Sequence, residues 1–243
     1  MKLYYDLHIH SCLSPCADDD NTPNNIIGMG VLNGLDVMAL TDHNTCRNCP
    51  AFFAAAEKNG IVAIAGMELT TAEDIHIIFL FDSLENAMLF DGEINKRRIL
   101  IKNRTDIYGR QLILDKDDNP VDEDEYLLSN ATTVTVEECP ALAKRFSGIC
   151  YPAHIDRQAN GIIAVLGTMP DINGFNTVEF NSITNIEDYT KKYNLKKYKT
   201  VVNSDAHYLW DIKEKQDFFE IDKEPDSPEK IRQHIVSFLG GVI

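Results

Sequence analysis

A pair of histidines set into an alternating run constrains this chain more than any other feature. In Leu3-Tyr4-Tyr5-Asp6-Leu7-His8-Ile9-His10, the residues Leu3, Tyr5, Leu7 and Ile9 alternate with Tyr4, Asp6, His8 and His10. That is the period of a β-strand, so His8 and His10 share one face. Two imidazoles placed this way can reach a single metal ion. Taken alone, such a pair is equally an ordinary surface or core feature; the rest of the chain decides.

The arrangement recurs downstream. Apolar runs at 35–40, 61–66, 75–81, 148–154, 177–181 and 200–207 read as strands, and 218–221 as a late one. Potential ligands stand on these runs or at their ends: His43, Glu68, His76, His154, Asp205 and His207. Helices are predicted between them. Thr22-Pro23 opens one with an N-cap and a proline at its first position, and Asn33-Gly34 closes it. Others are predicted at 50–59, at 135–146 behind a Thr135/Glu138 capping box, and from Ser227-Pro228 to Leu239. Strand and helix in alternation predict a parallel α/β barrel or wound sheet, with the chemistry at the carboxyl ends of the strands.

The stretch 82–135 breaks that rhythm. A helix at 84–101 and a hairpin of 110–114 with 125–128 read as an insertion that covers or flanks the site. The 243 residues, 44% of them hydrophobic, suit one domain over 1–243.

Charge and cysteine usage narrow the setting. A formal net charge of −15 argues against an extended nucleic acid or an anionic membrane as partner. It leaves room for a small phosphorylated substrate, because bound cations reverse the local sign. No apolar run is long enough to span a bilayer. The six cysteines form no regular framework, so free thiols in a reducing cytoplasm are expected. Cys46 and Cys49, with Cys12 and Cys16, would also have the spacing for a four-thiolate site. The sequence gives no sign of oligomeric state.

Six of the seven histidines lie on or beside apolar strands; His234 falls on a helix face. Glu68 and Asp205 are costly to bury unpaired. Six imidazoles and several carboxylates converging at one end of a barrel would hold two or three divalent ions. The mixed nitrogen and oxygen set suits Zn, Mn or Fe better than Mg or Ca.

The motifs Asp6-Leu7-His8-Ile9-His10, Thr41-Asp42-His43-Asn44, Gly66-Met67-Glu68, His76, Pro152-Ala153-His154 and Ser204-Asp205-Ala206-His207 resemble, in order and spacing, those of the polymerase-and-histidinol-phosphatase (PHP) superfamily. The resemblance implies a distorted (β/α)7 TIM-like barrel, a di- or trinuclear metal centre and phosphoester hydrolysis. It implies that His8, His10, Glu68 and Asp205 hold one metal and that Glu68 bridges to a second held by His76 and His154. His43 and His207 would hold a third, with a ligand from the loop after His10. That loop departs from the usual short form. Asp20, Asp18 or Cys16 can supply the ligand, and Asp20 is preferred because it lies nearest the helix start.

Divalent ions so placed would acidify a water for attack on phosphorus. Asp205 or His207 would pass a proton to the leaving oxygen, and Arg157 would grip a phosphate oxygen or pair with a neighbouring acid such as Asp156. Asn44 is expected to cap the following helix. The alternatives are an amidohydrolase-type centre and a non-catalytic metal-binding module.

Overall fold

The alternating amino-terminal run forms strand β1 (Lys2–Asp6) in a computed structural model that describes residues 1–221 and 227–242. The chain continues through α1 (Pro23–Asn33), β2 (Val37–Leu40), α2 (Cys49–Asn59), β3 (Val62–Thr70) and β4 (His76–Phe81). Next come α3 (Leu84–Ile94), the short α4 (Thr105–Tyr108), β5 (Leu112–Leu114), β6 (Pro120–Glu123), α5 (Cys139–Arg145) and β7 (Gly148–Pro152). The last third holds α6 (Ile162–Leu166), β8 (Thr177–Phe180), α7 (Ile186–Tyr193), β9 (Lys199–Val202), β10 (Phe218–Glu220) and α8 (Pro228–Leu239).

Six strands form one curled sheet in the order β10-β1-β2-β3-β4-β7. The parallel pair β8–β9 continues the wall as a separate sheet. The Ile9–Ala206 bridge and the bond from Ile155 N–H to the Glu179 carbonyl tie the two together. The result is a distorted α/β barrel of the expected kind. Leu7 and Ile9 are fully buried, and so are Val37 to Leu40 on β2. Those positions read as apolar runs because both faces of the inner strands are covered.

Strand direction corrects the all-parallel expectation. β1, β2 and β3 are parallel, but β4 pairs antiparallel with β3, and β7 antiparallel with β4. The link from β3 to β4 is a tight turn in which Thr71 N–H donates to the Ile75 carbonyl and Asp74 has φ 63°. A parallel return needs roughly a dozen residues or more. Thr70 therefore sits opposite His76, and His76 enters the site from the start of its strand. Gly66 permits the close packing of this region, since a Cβ there would lie 2.6 Å from the Phe79 carbonyl oxygen.

Helix boundaries follow local chemistry. Thr22 accepts from Asn25 N–H at the head of α1, with Pro23 behind it, and Gly34 closes α1 in the left-handed conformation. Glu138 Oε2 accepts from Thr135 N–H and Oγ1, but α5 begins only at Cys139-Pro140. The Thr135/Glu138 pair thus makes a turn ahead of the helix rather than its cap.

The stretch read as an insertion holds a helix and a hairpin whose edges differ from the expected ones. Its helix α3 stops at Ile94, and the hairpin pairs β5 with 120–123 instead of 125–128. It is clamped to the loop after β1: Asp118 accepts from Thr22 Oγ1 and Asn24 Nδ2, and Leu13, Ile113 and Leu128 form a small buried cluster. Asn44 caps no helix. Its Nδ2 donates to the carbonyls of Leu128 and Asn130, and its Oδ1 accepts from Thr70 N–H. Among the described residues, no helix is long and apolar enough to cross a membrane.

Candidate metal centre

His8 and His10 lie just beyond the paired part of β1 and are fully buried. Their Nε2 atoms are 3.1 Å apart. Each opposite ring nitrogen has a fixed partner: His8 Nδ1 meets Glu179 Oε1 at 2.8 Å, and His10 Nδ1 meets Ser14 Oγ at 3.0 Å. Both Nε2 atoms are therefore turned toward the same carboxylates. His8 Nε2 is 3.4 Å from Glu68 Oε1 and 3.2 Å from Asp205 Oδ1. His10 Nε2 is 3.2 Å from Glu68 Oε2 and 3.3 Å from the same Asp205 oxygen.

Glu68 is the hub. Its Oε1 also lies 2.8 Å from His76 Nδ1 and 3.0 Å from His154 Nε2, and its Oε2 lies 3.1 Å from His43 Nδ1. Residues from β3, β4, the end of β7 and the segments after β1, β2 and β9 thus meet within a few ångströms. Backbone strain accompanies this: His154 and Asp205 adopt φ 27° and 55°. Non-glycine residues hold such angles when the surroundings over-determine them, commonly at functional sites.

Among the described residues, three overlapping groups have ligand atoms within 4.8 Å of one another: His8, His10, Glu68 and Asp205; His43, Glu68 and His76; and His10, Cys16, His43 and His207. His207 Nδ1 donates to the Asp205 carbonyl at 2.7 Å, which leaves Nε2 as the nitrogen free to face a cation. Buried polar atoms without a hydrogen-bond partner include His43 Nδ1, His154 Nδ1 and Asp205 Oδ1. Unsatisfied atoms of this kind, among imidazoles whose other nitrogens are oriented by carboxylate or hydroxyl, fit a set of divalent cations.

The electrostatics agree with that donor set. Burial alone would lower the His8 and His10 values, but the surrounding carboxylates outweigh it, raising His8 well above the usual range and His10 to about 9. Burial raises Glu68 and Asp205, and the imidazoles reverse this, holding both carboxyls well below theirs. His43 is pushed well below the histidine range, and His207 down to about 4, by burial first and also by His10. Burial thus favours the neutral imidazole, the form a cation requires, at His43 and His207, whereas at His8 and His10 the carboxylates favour the protonated ring, whose proton a bound cation would displace.

The structure does not bring Asp20 to this cluster. Asp20 is exposed; its N–H donates to Asp18 Oδ1, and its carbonyl accepts from Thr22 N–H and Asn25 Nδ2. The loop is committed to starting α1 at that point, and Asp20 falls in none of the close ligand groups among the described residues. Cys16 takes the place beside His43 and His207. The four-thiolate arrangement is likewise not formed: Cys46 Sγ donates to the Gly66 carbonyl and Cys12 Sγ to the Leu112 carbonyl. Arg157 reaches the site and pairs through Nη1 with Asp205 Oδ2, while Asp156 accepts from the N–H groups of Asn181 and Ser182. A cavity of about 320 Å³ opens here, lined by Cys16, His76, His154, Arg157 and His207 among others.

Sequence reasoning missed the supporting residues. Glu179 Oε1 accepts from His154 N–H as well as meeting His8, and Glu179 Oε2 accepts from Asn203 Nδ2. Asp42 accepts from Ser11 and Ser14, and Ser14 Oγ also accepts from His43 N–H. A carboxylate inside the wholly buried run Thr177–Phe180 was the available signal for Glu179.

Comparison with known proteins agrees with the geometry. A family model described as the PHP domain matches residues 6–209. A 5′-3′ exoribonuclease of Haemophilus influenzae is 35% identical over 92 residues, covering 36% of this chain and 32% of that protein. A lesion-specific endonuclease Q from Pyrococcus furiosus superimposes with a TM-score of 0.68 at 19% identity, over 100% of this chain and 57% of that one. A protein described as a metal-dependent phosphoesterase of Bifidobacterium adolescentis gives a TM-score of 0.59 at 15% identity, over 98% and 96% of the two chains. This chain thus spans about a third of the exoribonuclease and just over half of the endonuclease.

These likenesses correct the expectation that an extended nucleic acid is an improbable partner. An endonuclease Q structure that superimposes at a TM-score of 0.60 with 19% identity, over 86% of this chain and 50% of its own, holds a 27-mer duplex with an abasic lesion at its active site. That neighbour therefore holds a nucleic acid on a similar fold. Net charge summed over a whole chain does not report the potential at a site where cations dominate locally.

Proposed function

The chain belongs to the PHP domain family, and from that premise we propose that it is a metal-dependent phosphoesterase acting on a nucleotide or on the end of an oligonucleotide. The convergence of the His8 and His10 Nε2 atoms on Glu68 and Asp205 carries this reading. His8, His10, Glu68 and Asp205 hold one divalent ion in it, Glu68, His76 and His154 a second, and His43 and His207 belong to a third position. Zn, Mn and Fe suit these donors. Bound there, such ions supply Lewis-acid stabilisation of phosphoryl oxygens and a lowered pKa for water.

The chain's own groups do the rest. Glu179 and Ser14 fix the rings of His8 and His10, so their lone pairs need no reorganisation. Arg157 is half-exposed at the cavity, and its guanidinium is available to a phosphate oxygen once Asp205 turns to a cation. Asp205 Oδ2 is ionised, so it would first accept a proton from water and then hand it to the leaving oxygen. His207 is better used as a donor to a cation, because its Nδ1 is already occupied. A cationic fork at the mouth favours a phosphoester over the carbonyl substrate of an amidohydrolase-type centre.

The test uses protein purified without chelator or metal affinity. Metal content is measured first, then release of phosphate or mononucleotide from nucleoside monophosphates and from end-phosphorylated oligonucleotides, for the native chain and His10→Ala. Two to three ions per chain, with release abolished by the substitution, are expected. A metal-replete chain inert on the whole panel would overturn the proposal.

A further inference from the structure

The loop after His10 ends in three consecutive acids, Asp18, Asp19 and Asp20, yet the side chain it presents to the histidines is a thiol. The reason is how the loop is pinned. Ser14 Oγ is held between His10 Nδ1, Asp42 and His43 N–H. Four residues on, Asp18 N–H donates to the His207 carbonyl at 2.9 Å, and Ala17 N–H donates to the Ser14 carbonyl at 3.0 Å. Cys12 N–H closes the loop on the Asn21 carbonyl. Cys16 is therefore fixed between two anchors that belong to metal-site segments. Its Sγ lies within 4.8 Å of ligand nitrogens of His10, His43 and His207.

Four other cysteines contrast with it. Cys12, Cys46, Cys49 and Cys139 are buried and aim Sγ at backbone carbonyls, as small packing residues do. Cys16 instead lines the cavity beside the imidazoles. His10 is already used, with Nδ1 on Ser14 and Nε2 on the Glu68 and Asp205 carboxylates. That leaves Cys16, His43 and His207 as a donor set of one sulfur and two nitrogens. His43 Nδ1 is buried and makes no hydrogen bond although it lies 3.1 Å from Glu68 Oε2, so His43 stands between this group and the Glu68–His76 group.

We propose that Cys16 is a thiolate ligand, which makes the third cation position selective for a thiophilic divalent ion such as zinc, while the other two positions keep nitrogen and oxygen donors. The inference rests on the metal-centre reading above and goes beyond it in naming the ligand and the preference. Soft sulfur ligands favour zinc-like ions over Mn, Mg or Ca, whereas carboxylates favour the harder ones. Three protein donors leave a fourth tetrahedral corner open, the form of a zinc site that accepts water or substrate. On binding, the S–H bond breaks, the sulfur–metal bond forms, and one proton passes to the buffer.

Cobalt reports the ligand without reference to activity. Protein stripped of metal is titrated with Co2+ and followed in the near ultraviolet for the sulfur-to-cobalt charge-transfer band. The band is expected to saturate at one equivalent in the native chain and in Cys12→Ser. It is expected to vanish in Cys16→Ser, which should also hold one zinc fewer by elemental analysis. Cys16→Asp should regain that equivalent without the band and shift its preference from zinc toward manganese. Circular dichroism checks that each variant is folded, and the exposure of Cys16 makes substitution tolerable. A band that persists in Cys16→Ser, or full loading of the native chain without a band, would overturn the proposal. Hydrolysis with no band would sink this inference and leave the phosphoesterase reading standing; a band without hydrolysis would do the reverse.

Discussion

Glu179 and His8 are both fully buried, and Glu179 Oε1 stands 2.8 Å from His8 Nδ1. The same oxygen accepts the backbone N–H of His154, so one carboxylate orients a ring from the first motif and positions the segment carrying another ligand. Outer partners of this kind commonly change metal affinity or activity by about 10–100-fold. Glu179→Gln keeps the shape and removes the charge. Its metal affinity, measured by competition with a chelator, should fall by that factor, with melting of the metal-free chain little changed. Native affinity in Glu179→Gln would remove Glu179 from the site's machinery.

Metal should also stabilise the fold. Ligands that bind only the folded state add about 2.7 kcal/mol at a hundredfold excess over Kd. For a chain of this size that is a rise in Tm of roughly 5–10 °C. Calorimetry with and without chelator measures it, and His10→Ala should lose most of the difference. An unchanged Tm on chelation would mean that the centre holds no tightly bound ion.

Arg157 separates substrate binding from metal binding. A hydrogen bond to a charged partner contributes roughly 1.5–3 kcal/mol, so Arg157→Ala should lower kcat/KM by about 10–150-fold while metal content stays native. Arg157→Lys should recover only part of this, because an ammonium cannot reproduce a planar fork. Loss of metal in Arg157→Ala would show instead that the Asp205 contact is what matters.

The insertion should be the acid-sensitive part of the molecule. Burial would raise the Asp124 carboxyl, but hydrogen bonds from Arg98, with Arg47 nearby, hold it below its ordinary value. A depressed carboxyl contributes stability above the unfolded-state value and loses it as pH falls through the folded-state value. Hydrogen exchange over 98–126 should therefore accelerate below about pH 4, before the barrel opens. Asp124→Asn should exchange fast there at neutral pH and show little further change with acid.

Much of this was readable in the chain itself. Apolar runs interrupted by a single ionisable residue placed His8, His10, His43, Glu68, His154, Asp205 and His207 at strand ends, and the motif order identified the family. The reason is that burial of both faces of an inner strand leaves a local signature, and a polar residue at its end stands out against it. Helix starts at Thr22-Pro23 and Ser227-Pro228 were legible for the same reason, since caps are satisfied within a few residues.

The tertiary structure decided what depends on distant partners. The five-residue turn after β3 reversed β4 and delivered His76 from the beginning of its strand. The pairing of Asp18 with His207, remote in sequence, set Cys16 at the mouth of the cavity beside His43 and His207 and left Asp20 exposed. Glu179 became a partner of His8 only when β8 closed beside the first motif. Asn44 was claimed by Leu128 and Asn130 of the insertion instead of the nearby helix. Local sequence sets which residues are polar or apolar and how they alternate; strand direction, loop anchoring and hydrogen-bond satisfaction are settled by contacts between segments that no local pattern encodes.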